Sequence, residues 1–187
     1  GKQGTEIAKY LFKLEADVTL IIGPVSLELS ALSKVIRVET AIQMNEAVIK
    51  AGPFDIAICA AAVSDWRPKE KAKTKIKKTY GDNPPIVELV ENPDILKNIC
   101  TSENRPDLVI GFAAETDNLL SNARLKLEKK GCDWIIANRV NSENPNMGGD
   151  ENEVTIIKKN EEIKLKRQTK EKIAELICET IVEDIST

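Results

Sequence analysis

A three-layer α/β fold with a mainly parallel sheet, a C-terminal antiparallel hairpin and a closing helix is predicted by three observations. Short β-rich runs alternate with helical segments along most of the chain, one central run is apolar at nearly every residue, and the alternation breaks down only in the tail. A strand that is apolar throughout is expected to be covered on both faces, as parallel strands between helix layers are. Residues 5–14 (TEIAKYLFKL) set Ile7, Ala8, Leu11 and Leu14 at helical spacing, directly after the small residues Gly1 and Gly4. Residues 17–22 form a β-rich run closed by the breaker Gly23-Pro24, and residues 34–38 form a second. Thr40 is suited to cap a helix over 41–50, after which the apolar run 55–62 supplies the covered strand. The repeat continues with a helix over 93–100 with proline in its first turn, a strand over 108–112, a helix over 118–130 closed by Gly131, and a strand over 134–137. In the tail, 154–158 and 163–166 flank Asn160-Glu161 as a hairpin, and 169–185 form the last helix.

A length of 187 residues suits a single domain, and 42% hydrophobic with 30% charged residues is enough apolar material for one core, which excludes disorder and collagen. No apolar run approaches the roughly 18–20 residues of a membrane span, and Gly1-Lys2-Gln3-Gly4 lacks a signal-peptide core. A cytoplasmic protein with no membrane partner is therefore expected. Cys59, Cys100, Cys132 and Cys178 include no CxxC pair and are expected to be reduced thiols. The chain contains no histidine, so Ser-His-Asp and Cys-His activation and His-ligated metals are excluded from it. The net charge of −3 conceals an asymmetry: residues 69–78 (KEKAKTKIKK) carry a net +5, leaving −8 elsewhere. That pattern suggests one local anion site rather than a basic protein.

In an open, doubly wound Rossmann-like sheet, ligands bind beyond the carboxyl ends of the strands, so the residues after each strand are the first candidates. Ala61-Ala62-Val63-Ser64-Asp65 offers small side chains that admit a ligand to the backbone, followed by a carboxylate; the same residues also serve as a plain strand end. Lysines 69, 71, 73, 75 and 77 recur at every second residue, so an extended segment would turn them to one side, suiting a triphosphate or simply a solvated loop. A nucleic-acid patch fits less well, because few aromatics lie nearby and the rest of the chain is acidic. Asn92-Pro93-Asp94 either caps the next helix or also faces a ligand. Phe112 ends a strand, where it packs in the core or meets a base. Lys126 and Lys130 share a helix face, which offsets the helix dipole or binds an anion. Gly148-Gly149 with Met147 reads as a turn before the hairpin. Neither GxGxxG nor GxxxxGK[ST] occurs, so a nicotinamide-dependent Rossmann reductase has no fingerprint here. A noncatalytic nucleotide-binding module stays open on these residues.

The ordered segments GKQG, AAAVSDWRP, KIKK, ENPDIL, RPDLVIGFAAET, ARLKLEKKGCDWIIAN and GGDENEV resemble those of phosphopantothenate-cysteine ligase, in its bacterial CTP-dependent form. The resemblance spans nearly the whole chain. It implies a ligase of coenzyme A synthesis that joins 4'-phosphopantothenate to cysteine. The substrate carboxylate attacks the α-phosphate of CTP to give an acyl-cytidylate and pyrophosphate, and the cysteine amine then displaces CMP. Mg2+ is the implied metal ion, with ligands the resemblance does not identify; FMN belongs only to a decarboxylase domain that precedes the ligase in bifunctional relatives. By the same resemblance Lys75 is the catalytic flap lysine near the phosphates. Asn92, Pro93, Asp94, Ile95, Phe112, Lys126 and Lys130 are nucleotide-binding, while Ala61, Ala62 and Asp65 hold phosphopantothenate or the acyl intermediate. Expected partners are 4'-phosphopantothenate, cysteine, CTP and a second copy in a homodimer, with no nucleic acid. Family members begin with a strand, a threonine- and glycine-rich turn, and an asparagine and serines just before the GKxG glycines. These are not in the sequence. Residues 1–187 are therefore expected to form a single ligase domain lacking its N-terminal strand and loop, with reduced activity on its own.

Overall fold

The structure is a computed structural model that describes residues 1–70, 74, 86–139 and 149–186. Its elements run α1 (Lys2–Lys13), β1 (Thr19–Ile22), β2 (Lys34–Arg37), α2 (Ala41–Ala51), β3 (Ile56–Cys59), β4 (Trp66–Pro68), β5 (Leu89–Glu91), α3 (Ile95–Cys100), β6 (Leu108–Glu115), α4 (Leu119–Lys130), β7 (Trp134–Arg139), β8 (Glu151–Ile157), β9 (Glu162–Thr169) and α5 (Lys170–Ile185). The main sheet has the order β3-β6-β7-β8-β9. β3, β6 and β7 are parallel, and β8 and β9 complete the sheet in antiparallel fashion. β1 and β2 form a separate parallel pair, so the parallel strands lie in two sheets rather than one.

The alternation of side chains explains why helices cover both faces of the main sheet. Leu108 and Ile110 of β6, Trp134 and Ile136 of β7, and Val154 and Ile156 of β8 point to one side. There they meet Ile7 of α1 and Ile173, Ile177 and Ile181 of α5. The intervening residues Val109, Ala113, Ile135, Ala137 and Ile157 pack on the other side against Leu96 and Ile99 of α3 and Ala123 and Leu127 of α4. Every residue of β7 from Trp134 to Ala137 is buried, as a strand covered on both faces requires.

Local chemistry sets the helix ends. Thr40 and Gln43 form a reciprocal capping box on α2. Thr169 caps α5 by accepting from the Lys172 amide. Gly131, at φ +74°, closes α4 in the left-handed conformation that glycine adopts at little cost. Elsewhere the observed boundaries depart from those expected. The apolar run beginning at residue 55 is a strand only over β3, and Ala61 and Ala62 lie beyond it, exposed. α3 starts at Ile95 rather than at Pro93, because the Asp94 side chain is the N-cap and accepts from the Lys97 amide. β6 runs on past Phe112 to Glu115, since β7 continues to pair with it as far as Arg139. Sequence patterning did not indicate the antiparallel pair β4–β5, in which Trp66 faces Glu91 and Pro68 faces Leu89. Gly149 lies in a bend, while Met147 and Gly148 are outside the described residues.

All four cysteines are free thiols. Burial pushes Cys59 up to about 12, Cys132 to about 11 and Cys178 to about 12, so these side chains behave as small apolar core residues.

Gly111 occupies the narrowest point between sheet and helix layer. A Cβ there would stand 2.7 Å from Leu96 Cδ2 and 2.8 Å from Ile135 Cδ1, and both of those side chains are buried. Gly111→Ala is expected to destabilise by about 1–3 kcal/mol through overpacking, which outweighs the roughly 0.4–1 kcal/mol gained by stiffening the unfolded chain. Urea unfolding with an unchanged m-value checks this; equal or greater stability of the variant would contradict the packing described.

Candidate functional site

The residues expected to bind ligand converge at two linked segments. The first leaves β3 as the exposed stretch Ala61, Ala62, Val63, Ser64 and Asp65. Asn92 ties the second segment to it: its amide donates to the Asp65 carbonyl at 2.8 Å, and its side-chain Nδ2 donates to the Ser64 carbonyl at 2.8 Å. The Arg67 guanidinium adds to this clasp by donating to the Glu91 carbonyl and, at 3.4 Å, to Asn92 Oδ1. Pro93 and the capping residue Asp94 then deliver the chain into α3, where Ile95 is buried in the core.

From the opposite side, α4 supplies two cations to the same region. Lys130 forms an ion pair with the Asp94 carboxylate. One turn earlier, Lys126 Nζ donates to the Phe112 carbonyl at 2.8 Å. Lys129 is exposed, and its carbonyl accepts from Lys97 Nζ at 3.1 Å, so the two helices are also joined on their outer side. The structure therefore connects Asp65, Asn92, Asp94, Lys126, Lys130 and the Phe112 backbone in one rim. The Phe112 ring is half-buried against the core on the α1 and α5 side, so its carbonyl is what reaches Lys126.

Asp94 titrates in an opposed field. Burial alone raises its carboxyl, but the hydrogen bond from Lys130, the Lys97 amide and the charges of Lys130 and Lys126 outweigh burial and hold it below its usual value. The carboxylate is therefore charged at neutral pH and keeps Lys130 in place.

Lys75 lies outside the described residues, as do Lys71, Lys73 and Lys77. Lys69 is described, and it extends the β4–β5 pairing: its amide donates to the Glu88 carbonyl at 2.9 Å and its Nζ pairs with the Glu88 carboxylate at 2.8 Å. The first lysine of the run is thus a structural partner of β5. Ser64 and Arg67 were missed as organisers of the site. Both stand inside the AAAVSDWRP segment, yet their part comes from the β4–β5 pairing, which residue types did not reveal.

Such a sheet, helix-covered on both faces with a charged rim beyond its parallel strands, defines a Rossmann-like α/β ligand-binding domain. The chain belongs to the family described as the DNA/pantothenate metabolism flavoprotein C-terminal domain, whose model matches residues 1–185. It is 37% identical over 187 residues to the coenzyme A biosynthesis bifunctional protein CoaBC of Vibrio cholerae, covering 99% of this chain and 47% of that protein. It is 40% identical over 151 residues to the protein of the same name from Mycobacterium tuberculosis, covering 75% of this chain and 36% of that one. The crystal structure of a CoaBC C-terminal domain superposes with a TM-score of 0.80 at 32% identity, covering 100% of this chain and 83% of that one. The chain thus spans about half or less of the length of these full-length relatives. The resemblance carried by the ordered motifs is borne out.

Asp94→Asn separates charge from capping, since asparagine caps a helix as well as aspartate does. Because the folded-state pKa of Asp94 is depressed, its ionised form contributes stability above the unfolded-state pKa, and this is lost as pH falls through the folded value. Wild-type stability is therefore expected to decline more steeply than that of Asp94→Asn on acidification below about pH 4, near the reference carboxyl value. Parallel unfolding curves for the two proteins through that range would contradict the assigned Lys130 contact.

Proposed function

We propose that this chain is the domain of a coenzyme A biosynthetic ligase that condenses 4'-phosphopantothenate with cysteine, using CTP and passing through an acyl-cytidylate. The observation that carries the reading is the clasp of Asn92 on the Asp65 segment combined with the Lys130–Asp94 pair, which joins the motif segments into one rim. The names of the relatives matched over nearly the whole chain support the same pathway.

A carboxylate does not react with an amine at neutral pH, so it has to be converted into a better electrophile. In the first step a carboxylate oxygen attacks the α-phosphorus of CTP and pyrophosphate leaves with the bonding electron pair. In the second, the cysteine amine attacks the acyl carbon, CMP departs, and the amine gives up its proton. Both steps depend on positioning and on neutralising phosphate charge, which lysines supply without a histidine. Lys126 and Lys130 stand ready for this role. Each is held by an oxygen acceptor of the chain itself, and phosphate oxygens would replace those acceptors. Lys75 is the flap lysine of the reading, and Ala61 and Ala62 give the acyl substrate access to the backbone.

No group of three or more Cys, Asp or Glu side chains among the described residues is arranged to hold a metal by itself. Mg2+ would arrive with the triphosphate, taking only one or two protein carboxylates. Asp94 is occupied by Lys130, so Asp65 is the carboxylate of the rim suited to that contact. When bound, the ion would neutralise charge on the phosphates. FMN has no place in this domain's reaction and would belong to a separate decarboxylase domain.

A homodimer is part of the reading. The β4–β5 pair and the residues beside it expose Trp66 (53%), Ile86 (95%), Val87 (57%) and Leu89 (55%), an apolar surface that a second copy would cover. A cytoplasmic setting completes it; among the described residues no helix is long and apolar enough to cross a membrane.

The test is an assay of the complete protein with 4'-phosphopantothenate, cysteine, CTP and Mg2+. Release of pyrophosphate and CMP is expected, and neither product above background would sink the proposal. Lys75→Gln is expected to lower turnover by about 10²-fold or more, because a phosphate-stabilising donor contributes much to rate; a thermal melt matching the wild type shows that the loss is not one of folding. Sedimentation should give a dimer, shifted toward monomer by Trp66→Ala.

A further inference from the structure

Arg67 stands at the centre of β4, opposite Val90, with its side chain half-buried beside the rim. We propose that Arg67 is a positioning residue for the ligation, acting through Asn92 to fix the direction of the chain at Ser64 and Asp65. The inference rests on the ligase reading and adds to it a residue whose part is played on the chain rather than on the substrate.

An asparagine side chain donates at one end of its amide and accepts at the other, and its shape is nearly the same either way round. At Asn92 the two neighbours remove that ambiguity. A guanidinium carries only donors, so Arg67 Nη1, at 3.4 Å, faces Oδ1. A backbone carbonyl only accepts, so the Ser64 oxygen, at 2.8 Å, faces Nδ2. Turned over, the amide would set its NH2 group against a cation and its oxygen against another oxygen. The Arg67 contact is long for a hydrogen bond and acts mainly through its charge, which is enough to choose an orientation. With the Asn92 amide bonded to the Asp65 carbonyl at 2.8 Å, two consecutive carbonyls of the segment after β3 are then held.

Arg67 is itself anchored, because the same Nη1 donates to the carbonyl of Glu91, the last residue of β5. The Ser64 hydroxyl is engaged within its own turn: it donates to the Trp66 carbonyl at 2.9 Å and accepts from the Trp66 amide at 3.3 Å. Its carbonyl is therefore the atom it presents to Asn92. Lys126 and Lys130 have other acceptors, so the cations proposed to meet phosphate are set independently of Arg67. Loss of Arg67 would thus misdirect the segment that receives the acyl group while the phosphate contacts stay in place. Misplacing reacting groups by about 1 Å costs about 10²-fold in rate.

Steady-state kinetics of the complete protein with 4'-phosphopantothenate, cysteine, CTP and Mg2+ test this. Arg67→Ala is expected to lower kcat by about 10²-fold while KM for CTP stays within about 2-fold of the wild type. Arg67→Met, which keeps the apolar stem, is expected to show the same loss with a wild-type thermal melt, separating positioning from folding. Millimolar guanidinium, well below concentrations that unfold proteins, is expected to restore part of the Arg67→Ala turnover, whereas ammonium, with the charge but not the planar fork, is not. In a double-mutant cycle, adding Arg67→Ala to Asn92→Ala is expected to change kcat by no more than about 2-fold, because nothing is left for Arg67 to orient. Losses that multiply in the cycle, a raised KM for CTP with kcat retained, or no recovery with guanidinium would overturn the positioning role and leave the ligase reading standing. A wild type without turnover would overturn the ligase reading itself.

Discussion

Lys130 reaches from the last turn of α4 to the carboxylate that caps α3, and this contact is where the two halves of the rim meet. It turns a helix cap and a helix C-terminal cation into one charged unit. The pair contributes little energy: its side chains are 21% and 43% exposed, and ion pairs in that setting are typically worth about 0–1 kcal/mol. Its importance is geometric. Lys126 follows from it, since a side chain one turn earlier on the same face is carried to the Phe112 carbonyl. Through the cap, Asn92 is held where it can clasp the segment after β3.

What holds α3 and α4 close enough for the pair to form is the core beneath them. Leu96 and Ile99 of α3 and Ala123 and Leu127 of α4 pack together against Val109, Ala113, Ile135 and Ala137 of the sheet. Each large side chain buried there contributes roughly 1.5–3 kcal/mol, so the apolar layer sets the helix positions and the charged groups above it inherit them. Gly111 belongs to the same arrangement. Its missing side chain lets Leu96 approach β6, which lowers α3 onto the sheet and brings Asp94 within reach of Lys130.

Most of the helices and the parallel strands were legible in sequence because their signals are local: 3.6-residue spacing in α1, the Thr40 cap, and Gly131 after α4. The hairpin was legible for the same reason. The β4–β5 pair was not, since each strand has three residues and Pro68 interrupts the first, so no period can emerge. The boundaries at Pro93 and Phe112 shifted because long-range contacts decided them: Asp94 is drawn into capping and β7 extends the pairing of β6. Of the proposed site, the motif order singled out Asn92, Asp94, Lys126 and Lys130, and the hydrogen bonds and ion pair at these residues come from the fold. It could not reveal that Ser64 and Arg67 organise the clasp, because they act through backbone carbonyls that carry no residue signature.

The chain itself supplies an acceptor for each cation of the rim, which bears on the proposed polyphosphate guest. Lys130 is matched by Asp94, Lys126 by a carbonyl dipole, and the chain apart from the lysine run carries a net −8. A monovalent anion would gain little by displacing these partners, because it would trade one carboxylate contact for another. A polyphosphate gains more, since several oxygens can engage Lys126 and Lys130 together while the displaced Asp94 keeps its cap on the Lys97 amide. An extended polyanion such as nucleic acid would meet the acidic remainder of the surface beyond the first few phosphates, where repulsion offsets the local attraction. On the proposed reading, pairing each cation with an acceptor of the chain's own favours guests of concentrated negative charge over those that are weakly charged or long.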